Sequence, residues 1–264
     1  MLSILTVNIG AAAPARALRI AEWLQARDDD VVIFTETSNG TGTAWLLDAY
    51  RHAGWHVVHT PSVDGDRGAA LATRIPPDRD ELALKPASLP HRLAATTLAT
   101  SPPVAVVGVY VPSRDRSTTN VDKKRDFIAS LLDAVAELPV EARGGLLLGG
   151  DYNVIDRNHK PLHSGFFAFE LDMTQRLAEL GLDDAFTRHK PGVQEYSWVG
   201  RTGDGYRYDY FHLGATLADR IAESGYLHHT RNERLTDHAA VALRLDVDVP
   251  ERLDVLPVVV PALF

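Results

Sequence analysis

Leu146-Leu147-Leu148-Gly149-Gly150-Asp151-Tyr152-Asn153 sets an acid and an amide two positions apart, behind three aliphatic residues and two glycines. The leucines read as a buried strand, and the glycines allow its end to lie close against another chain or a ligand. In an extended segment Asp151 and Asn153 point to the same side. A carboxylate and an amide thus converge at the tip of a strand.

The pattern recurs on both sides of this stretch. Asn8 ends the strand-like run from Leu2, and Glu36 follows the apolar run Val31-Val32-Ile33-Phe34-Thr35. Downstream, Tyr206-Arg207-Tyr208-Asp209-Tyr210 places Asp209 in a strand of alternating character, and Thr236-Asp237-His238 opens the last one. A buried Asp accepting a hydrogen bond from one imidazole nitrogen raises the pKa of the His and orients its other nitrogen. Asp237 is placed to approach a metal, directly or through water.

Such a set suits hydrolysis of a phosphate ester. Water has to be deprotonated, and the negative charge growing on the phosphoryl group has to be neutralised. A hard divalent cation on carboxylate and water ligands does both, and Mg²⁺ takes only one or two protein carboxylates. No P-loop, dinucleotide fingerprint or Gly-x-Ser-x-Gly elbow competes with this reading.

The bulk properties exclude several classes. With 264 residues the chain can bury a large core, and no apolar run reaches the ~18 residues of a membrane span. The start, Met1-Leu2-Ser3-Ile4-Leu5-Thr6-Val7, lacks a basic region and goes straight into a strand, which predicts no signal peptide and a cytoplasmic location. Cysteine is absent, so disulfides and thiolate metal sites are excluded. A net charge of −8 argues against a protein that coats nucleic acid with a basic face, but not against a nuclease. Arg114 with Arg116, Lys123-Lys124-Arg125, and Arg157 with His159 and Lys160 are expected to be mostly solvated surface.

Further strands are expected over Trp55 to Thr60, Ala69 to Thr73, Leu93 to Ala99, Val104 to Val111, Gly145 to Leu148, Tyr208 to Leu213 and Ala239 to Val247. Pro14 starts a helix with Ala17, Ile20, Ala21 and Leu24 on one face. Asn120 is expected to cap a second helix, with Phe127, Leu131, Leu132 and Val135 inward and Pro139 stopping it. A third runs from about Phe169 to a cap at Gly181. Many strands and few helices, without the alternating order of a doubly wound fold, point to two packed sheets with helices outside. His52, His56, His59, His159, His163, His189, His228 and His229 lack ligand spacing with an acidic partner and are assigned to surface or loops. The apolar, proline-broken tail of 249–264 follows a domain of 1–248, either packed over it or forming a homodimer contact.

Taken in order, Asn8, Glu36, Tyr110, Asp151/Asn153, Asp209 and Asp237/His238 resemble the motifs of the endonuclease/exonuclease/phosphatase superfamily. The resemblance implies a four-layered α/β sandwich of two mixed sheets flanked by helices, the DNase I-like fold. Val109-Tyr110-Val111-Pro112-Ser113, and Ser197-Trp198 with Gly205 to Phe211, are most similar to the exonuclease III and abasic-site endonuclease branch. Carried over, Glu36, Asn8 and Asp237 would serve the metal, Mg²⁺ or Mn²⁺. Asp151 would activate water that Asn153 holds, Asp209 and His238 would stabilise the phosphoryl group, and Tyr110 would contact the phosphate. Trp198, Tyr206, Arg207, Ser113 and Arg114 would meet the substrate. The implied activity is a DNA nuclease, a 3'-5' exonuclease or an abasic-site endonuclease. A hydrolase of small phosphate esters is the alternative, and an inactive nucleic-acid-binding module the second. The chain departs from the family at Gly10, where Asp or Asn is usual. It is expected to be a monomer or a homodimer.

Overall fold

The computed structural model describes residues 1–78, 84 and 88–259. Its strands begin with β1 (Leu2–Asn8), β2 (Val31–Thr37), β3 (His56–His59), β4 (Gly68–Thr73), β5 (Leu93–Leu98), β6 (Val104–Tyr110) and β7 (Leu146–Asp151). They continue with β8 (Leu182–Asp184), β9 (Trp198–Val199), β10 (Gly205–Tyr206), β11 (Asp209–Gly214), β12 (Ile221–Leu227) and β13 (Ala240–Leu245). One sheet has the order β12-β13-β1-β2-β4-β3 and the other β5-β6-β7-β11-β8, with β9 and β10 as a separate ribbon.

Both sheets are mixed, and they are built alike. Each has a central parallel pair, β1 with β2 and β6 with β7, flanked by antiparallel neighbours. The crossovers run through helix α1 (Pro14–Gln25) in one case. After α2 (Thr41–His52), the other runs through α3 (Thr118–Glu137) and the short α4 (Val140–Gly144). Helix α5 (Ala168–Glu179) lies beside α3 on the outer side of the second sheet.

The apolar residues separate into the three interlayer spaces of a four-layered sandwich. Ile4, Ile33, Leu71, Val106, Leu147 and Phe211 fill the gap between the sheets. Leu5, Phe34, Ile20 and Leu46 pack α1 and α2 on the first sheet. Val107, Leu148, Phe127 and Met173 pack α3 and α5 on the second. Strand alternation explains the sorting, since neighbouring residues on one strand enter different layers.

The predicted stripe of α1 is buried as expected, at Ala17, Ile20, Ala21 and Leu24. Helix α3 starts earlier than predicted: Ser117 caps it, accepting from the Asn120 amide, so Asn120 is a first-turn residue. Helix α2 and strand β12 were not anticipated, because Thr41-Gly42-Thr43 reads as a loop and Ala222-Glu223-Ser224-Gly225 lacks an apolar face. Gly42 is required where it stands, as a Cβ there would lie 1.9 Å from the Ala12 carbonyl oxygen. The described part of the tail lies against its own chain. Arg252 donates to Asp30 at 2.7 Å, the Leu256 amide to the Ala53 carbonyl at 2.8 Å, and Val258 and Val259 pack beside α1. The last five residues of the tail lie outside the described ones.

Candidate active site

The chemistry gathers where the apolar filling between the sheets gives way to polar side chains. Alternation puts Ile4, Thr6 and Asn8 on the inner face of β1, Val106, Gly108 and Tyr110 on that of β6, and Leu147, Gly149 and Asp151 on that of β7. Phe211 and Asp209 share the inner face of β11. Hence one layer beyond the apolar core of the sandwich, the same faces present Asn8, Tyr110, Asp151 and Asp209.

The two glycines before Asp151 make this approach possible. A Cβ on Gly149 would sit 2.4 Å from the Phe211 ring, and one on Gly150 would sit 2.0 Å from the Val109 carbonyl oxygen. Gly150 also has φ of +143°, outside the comfortable range of an L side chain. Any larger residue would force β7 away from its neighbours and move Asp151.

Glu36 reaches the same cleft by another device. Phe34 faces the helices, so plain alternation would send Glu36 the same way. The β2–β4 register shifts between Thr35 and Thr37, and Glu36 takes a left-handed φ of +54°. That bulge turns the carboxylate into the cleft. Asn153 is also left-handed, at φ +50°. Two non-glycine residues held in this sparsely populated region at one site mark stored backbone strain.

The side chains then form one network. Asn8 Nδ2 donates to Asp151 Oδ2 at 2.9 Å and to Glu36 Oε1 at 3.2 Å, while its Oδ1 accepts from the Gly10 amide at 2.8 Å. Asn8 thus ties the two carboxylates together. Gly10 itself abuts Arg16, whose guanidinium donates to the carbonyls of Ile9 and Gly10. Asp151 Oδ1 accepts from the Asn153 amide at 2.9 Å. Asp209 stands directly opposite Asp151 in the β7–β11 ladder and accepts from His238 Nδ1 at 2.7 Å. Ser197 Oγ fixes Asp209 by accepting from the amides of Tyr208 and Asp209.

Opposed carboxylates on adjacent strands repel. Burial, and then the Asp209 charge, push the Asp151 carboxyl well above the usual range, with Glu36 adding to the effect. Burial alone would pull the His238 imidazole down, but the charge and hydrogen bond of Asp209 push it up to about 10. His238 is therefore an imidazolium at neutral pH, with Nε2 as a donor. Burial, reinforced by the charges of Glu36 and Asp151, holds the Tyr110 phenol up, so it too remains a donor.

An adjoining cleft of about 550 Å³ is lined by the polar Glu36, Asn153, Asp237 and His238 and by the aromatic Trp198, Tyr206, Tyr208 and Phe166. Asp237 accepts from the Trp198 indole at 3.1 Å. Ser113 and Arg114 also reach the lining, where Arg114 is held by Glu170. Arg207 does not turn toward the substrate side as expected: its guanidinium pairs with Asp184 and lies 4.5 Å from the Tyr210 ring centre, inside the fold. A hollow of about 660 Å³ at Thr216, Asp219 and Asp246 is lined by none of these residues.

Sequence reasoning did not place Lys124, Glu170 or His163 in the cleft. Lys124 and Glu170 are buried there and His163 stacks on Tyr206 at 4.1 Å between ring centres. A signal for the first two was present: Lys124 falls in the stripe of Val121, Ile128 and Leu131, and Glu170 in that of Met173 and Leu177. A charge at a core-facing helix position needs a partner inside. His159, also assigned to the surface, is buried with Nδ1 2.8 Å from the Pro161 carbonyl. His228, placed among histidines without an acidic partner, lies 2.8 Å from Glu195.

The donor set suits a hard divalent cation, since Glu36 and Asp151 offer carboxylate oxygens in a site with surplus negative charge. On distance alone, Asp151, Asp209 and His238 also group within 4.8 Å. His238 Nδ1 is already taken by Asp209, so that nitrogen is not open to a cation.

The family model described as Endonuclease/Exonuclease/phosphatase family matches residues 5–251. No curated protein matches the sequence significantly. Among solved structures, a 3' phosphatase, NExo, from Neisseria bound to product DNA hairpin superposes with a TM-score of 0.78 at 22% identity, covering 93% of this chain and 100% of that one. An AP endonuclease from Archaeoglobus fulgidus gives a TM-score of 0.77 at 22% identity, again over 93% and 100%. The AP endonuclease LMAP from Leishmania major gives 0.70 at 19%, over 92% and 86%. At these identities the superpositions establish the fold.

Proposed function

We propose that this chain, which belongs to the endonuclease/exonuclease/phosphatase family, is a divalent-metal-dependent hydrolase of phosphate esters whose substrate is DNA. The single observation that carries the reading is the gathering of Glu36, Asp151, Asp209 and His238, from four separate segments, into one group of side chains, of which Glu36 and His238 line the cleft. The solved structures of similar fold, a 3' phosphatase with product DNA and two AP endonucleases, support DNA and exonuclease III-like chemistry at a 3' end or an abasic site.

Mg²⁺ or Mn²⁺ held at Glu36 and Asp151, with Asp237 near by, would neutralise phosphoryl charge and acidify water. Asp151, made more basic by burial and by Asp209, takes a proton from the attacking water. Asn153, locked at the strand end, orients that water beside it. The His238 imidazolium, kept protonated by Asp209, donates from Nε2 to the phosphoryl oxygen as negative charge grows. Tyr110 adds a neutral donor, and the wall of Trp198, Tyr206 and Tyr208 excludes water and packs on the sugar side.

A second reading, hydrolysis of small phosphate esters, is favoured by the charge of the cleft. Its two lining strong cations, Arg114 and Lys124, are both engaged by Glu170. A panel of abasic-site duplex, 3'-phosphorylated strand, nucleotides and sugar phosphates separates the readings. Each substrate is assayed with Mg²⁺, with Mn²⁺ and after chelation. Turnover of the DNA substrates, abolished by chelation and restored by metal, is the expected result. Turnover of the small esters alone favours the second reading, and metal-independent turnover of any substrate removes the mechanism.

A further inference from the structure

We propose that Lys124, oriented by Glu170, is a positioning residue that fixes the backbone turn at Asn153; the inference rests on the phosphate-ester hydrolase reading above. Lys124 is 2% exposed and Glu170 1%, so neither is a surface charge. Lys124 Nζ donates to the Asn153 carbonyl at 2.6 Å and lies 2.6 Å from Glu170 Oε1.

The placement answers a specific mechanical need. Asn153 follows Asp151 by two residues and occupies the left-handed region without being glycine. A backbone in that region persists only when its surroundings over-determine it. Three contacts hold it: its amide donates to Asp151 Oδ1, its Nδ2 donates to the Val111 carbonyl at 3.0 Å, and its carbonyl accepts from Lys124. The first fixes Asp151 and the second reaches the segment after Tyr110. The third is the one in which a cation from a different segment holds the turn, and charge-assisted bonds are the stronger kind. Releasing it frees the turn to relax, and the amide bond that aims Asp151 relaxes with it.

Glu170 explains why a lysine can do this in the interior. Its carboxylate receives Lys124, Arg114 and the Phe167 amide together, and Arg114 also donates to the Gly165 carbonyl. The same group therefore ties Lys124 and, through Arg114, Gly165, both in the lining of the cleft, to the start of α5 at Phe167. The ammonium has its orientation set before substrate arrives, and pre-set geometry is where catalytic rate is gained.

The test compares Lys124→Met, Lys124→Arg and the double variant Lys124→Met/Glu170→Gln. Lys124→Met leaves Glu170 paired with Arg114, so no buried carboxylate is stranded, Lys124→Arg keeps the cation where the Met variants fail to fold, and the double variant shows whether Glu170 acts only through Lys124. The readouts are kcat and KM on the best substrate of the panel, and hydrogen exchange of the Asn153 amide. Expected are a kcat about 30-fold lower in the Met variants, KM within about 3-fold of the parent, and partial recovery in Lys124→Arg, as for a displaced reacting group. Exchange at the Asn153 amide is expected to be about 10-fold faster in the same variants, the loss of one holding contact. A parental kcat in the folded double variant overturns the proposal, and so does a change in KM alone, which makes Lys124 a substrate contact. Because exchange needs no turnover, it reports on the proposal even where the panel finds no substrate: unchanged exchange at Asn153 overturns it, and an unreactive panel with faster exchange refutes only the hydrolase reading.

Discussion

Asp30 and Asp151 are both buried carboxylates, one just before the start of β2 and the other at the end of β7, and their surroundings are opposite. Asp30 accepts from Ser3, Arg74 and Arg252. Burial alone would raise its pKa, but the hydrogen bonds of Arg252, Ser3 and Arg74 overrule it and hold the carboxyl below 3.8. Asp151 faces Asp209 and Glu36, and its carboxyl is pushed up. A structural acid is surrounded by donors and cations. Asp151, the proposed base, is instead left beside like charges, a cost that the rest of the fold bears.

The largest expected effect follows from neutralising the dissatisfied acid. Asp151→Asn is expected to lower kcat by at least about 10²-fold, as for loss of a general base. Because the change relieves like-charge repulsion, the thermal midpoint should not fall; a large drop would show that Asp151 holds the fold as Asp30 does. Next, His238→Ala should also reduce kcat by about 10²-fold through loss of the charged donor. An unaltered pH–rate profile with parental kcat would take His238 out of the reaction.

Asp30→Asn is the converse. It should leave kcat near the parental value and cost about 2 kcal/mol in urea unfolding, the scale of hydrogen bonds to a charged group. The pH dependence has a definite sign. The folded pKa lies below the unfolded 3.8, so the Asp30 contribution is complete above about pH 4 and is lost as pH falls through the folded pKa. The stability gap between parent and Asp30→Asn should therefore narrow below pH 4, and a gap that widens there would contradict the assignment. The smallest effect is expected at the cleft wall, where Tyr206 stacks on His163 and Tyr208. Tyr206→Ala should raise KM by about 3- to 10-fold with little change in kcat, within the range of lost aromatic contact. A kcat effect as large as that of Asp151→Asn would place Tyr206 at the reacting atoms.

The strands that carry the acids were legible because their chemistry is local. Leu2 to Asn8 shows the pattern of a buried strand, and the leucines before Gly149 allow one reading only. Helix α1 was legible for the same reason, with its proline start and apolar stripe. Strand β12 was not, because its pairing with β13 stabilises a segment whose own residues favour no element. Arg207 was misjudged because its neighbours Tyr206 and Tyr208 face the cleft. Alternation sends the residue between them to the other side, and there Asp184 receives it. Lys124 and Glu170 were passed over because, one chain segment at a time, a charge in a helix resembles solvated surface.

By itself the sequence determined the layering of the protein and which residues end its strands, since alternation and helical periodicity are properties of neighbours in the chain. It also pointed to the family, because acids, an amide and an imidazole behind apolar runs match its motifs in order. Only the tertiary structure decided how these groups are charged and aimed. The bulge at Glu36, the Asp209–Asp151 opposition, the inward turn of Arg207 and the clamp of Lys124 on Asn153 each join segments far apart in the chain. The physical reason is that a charge inside a protein is governed by what lies within a few ångströms of it, and those neighbours come from anywhere in the sequence.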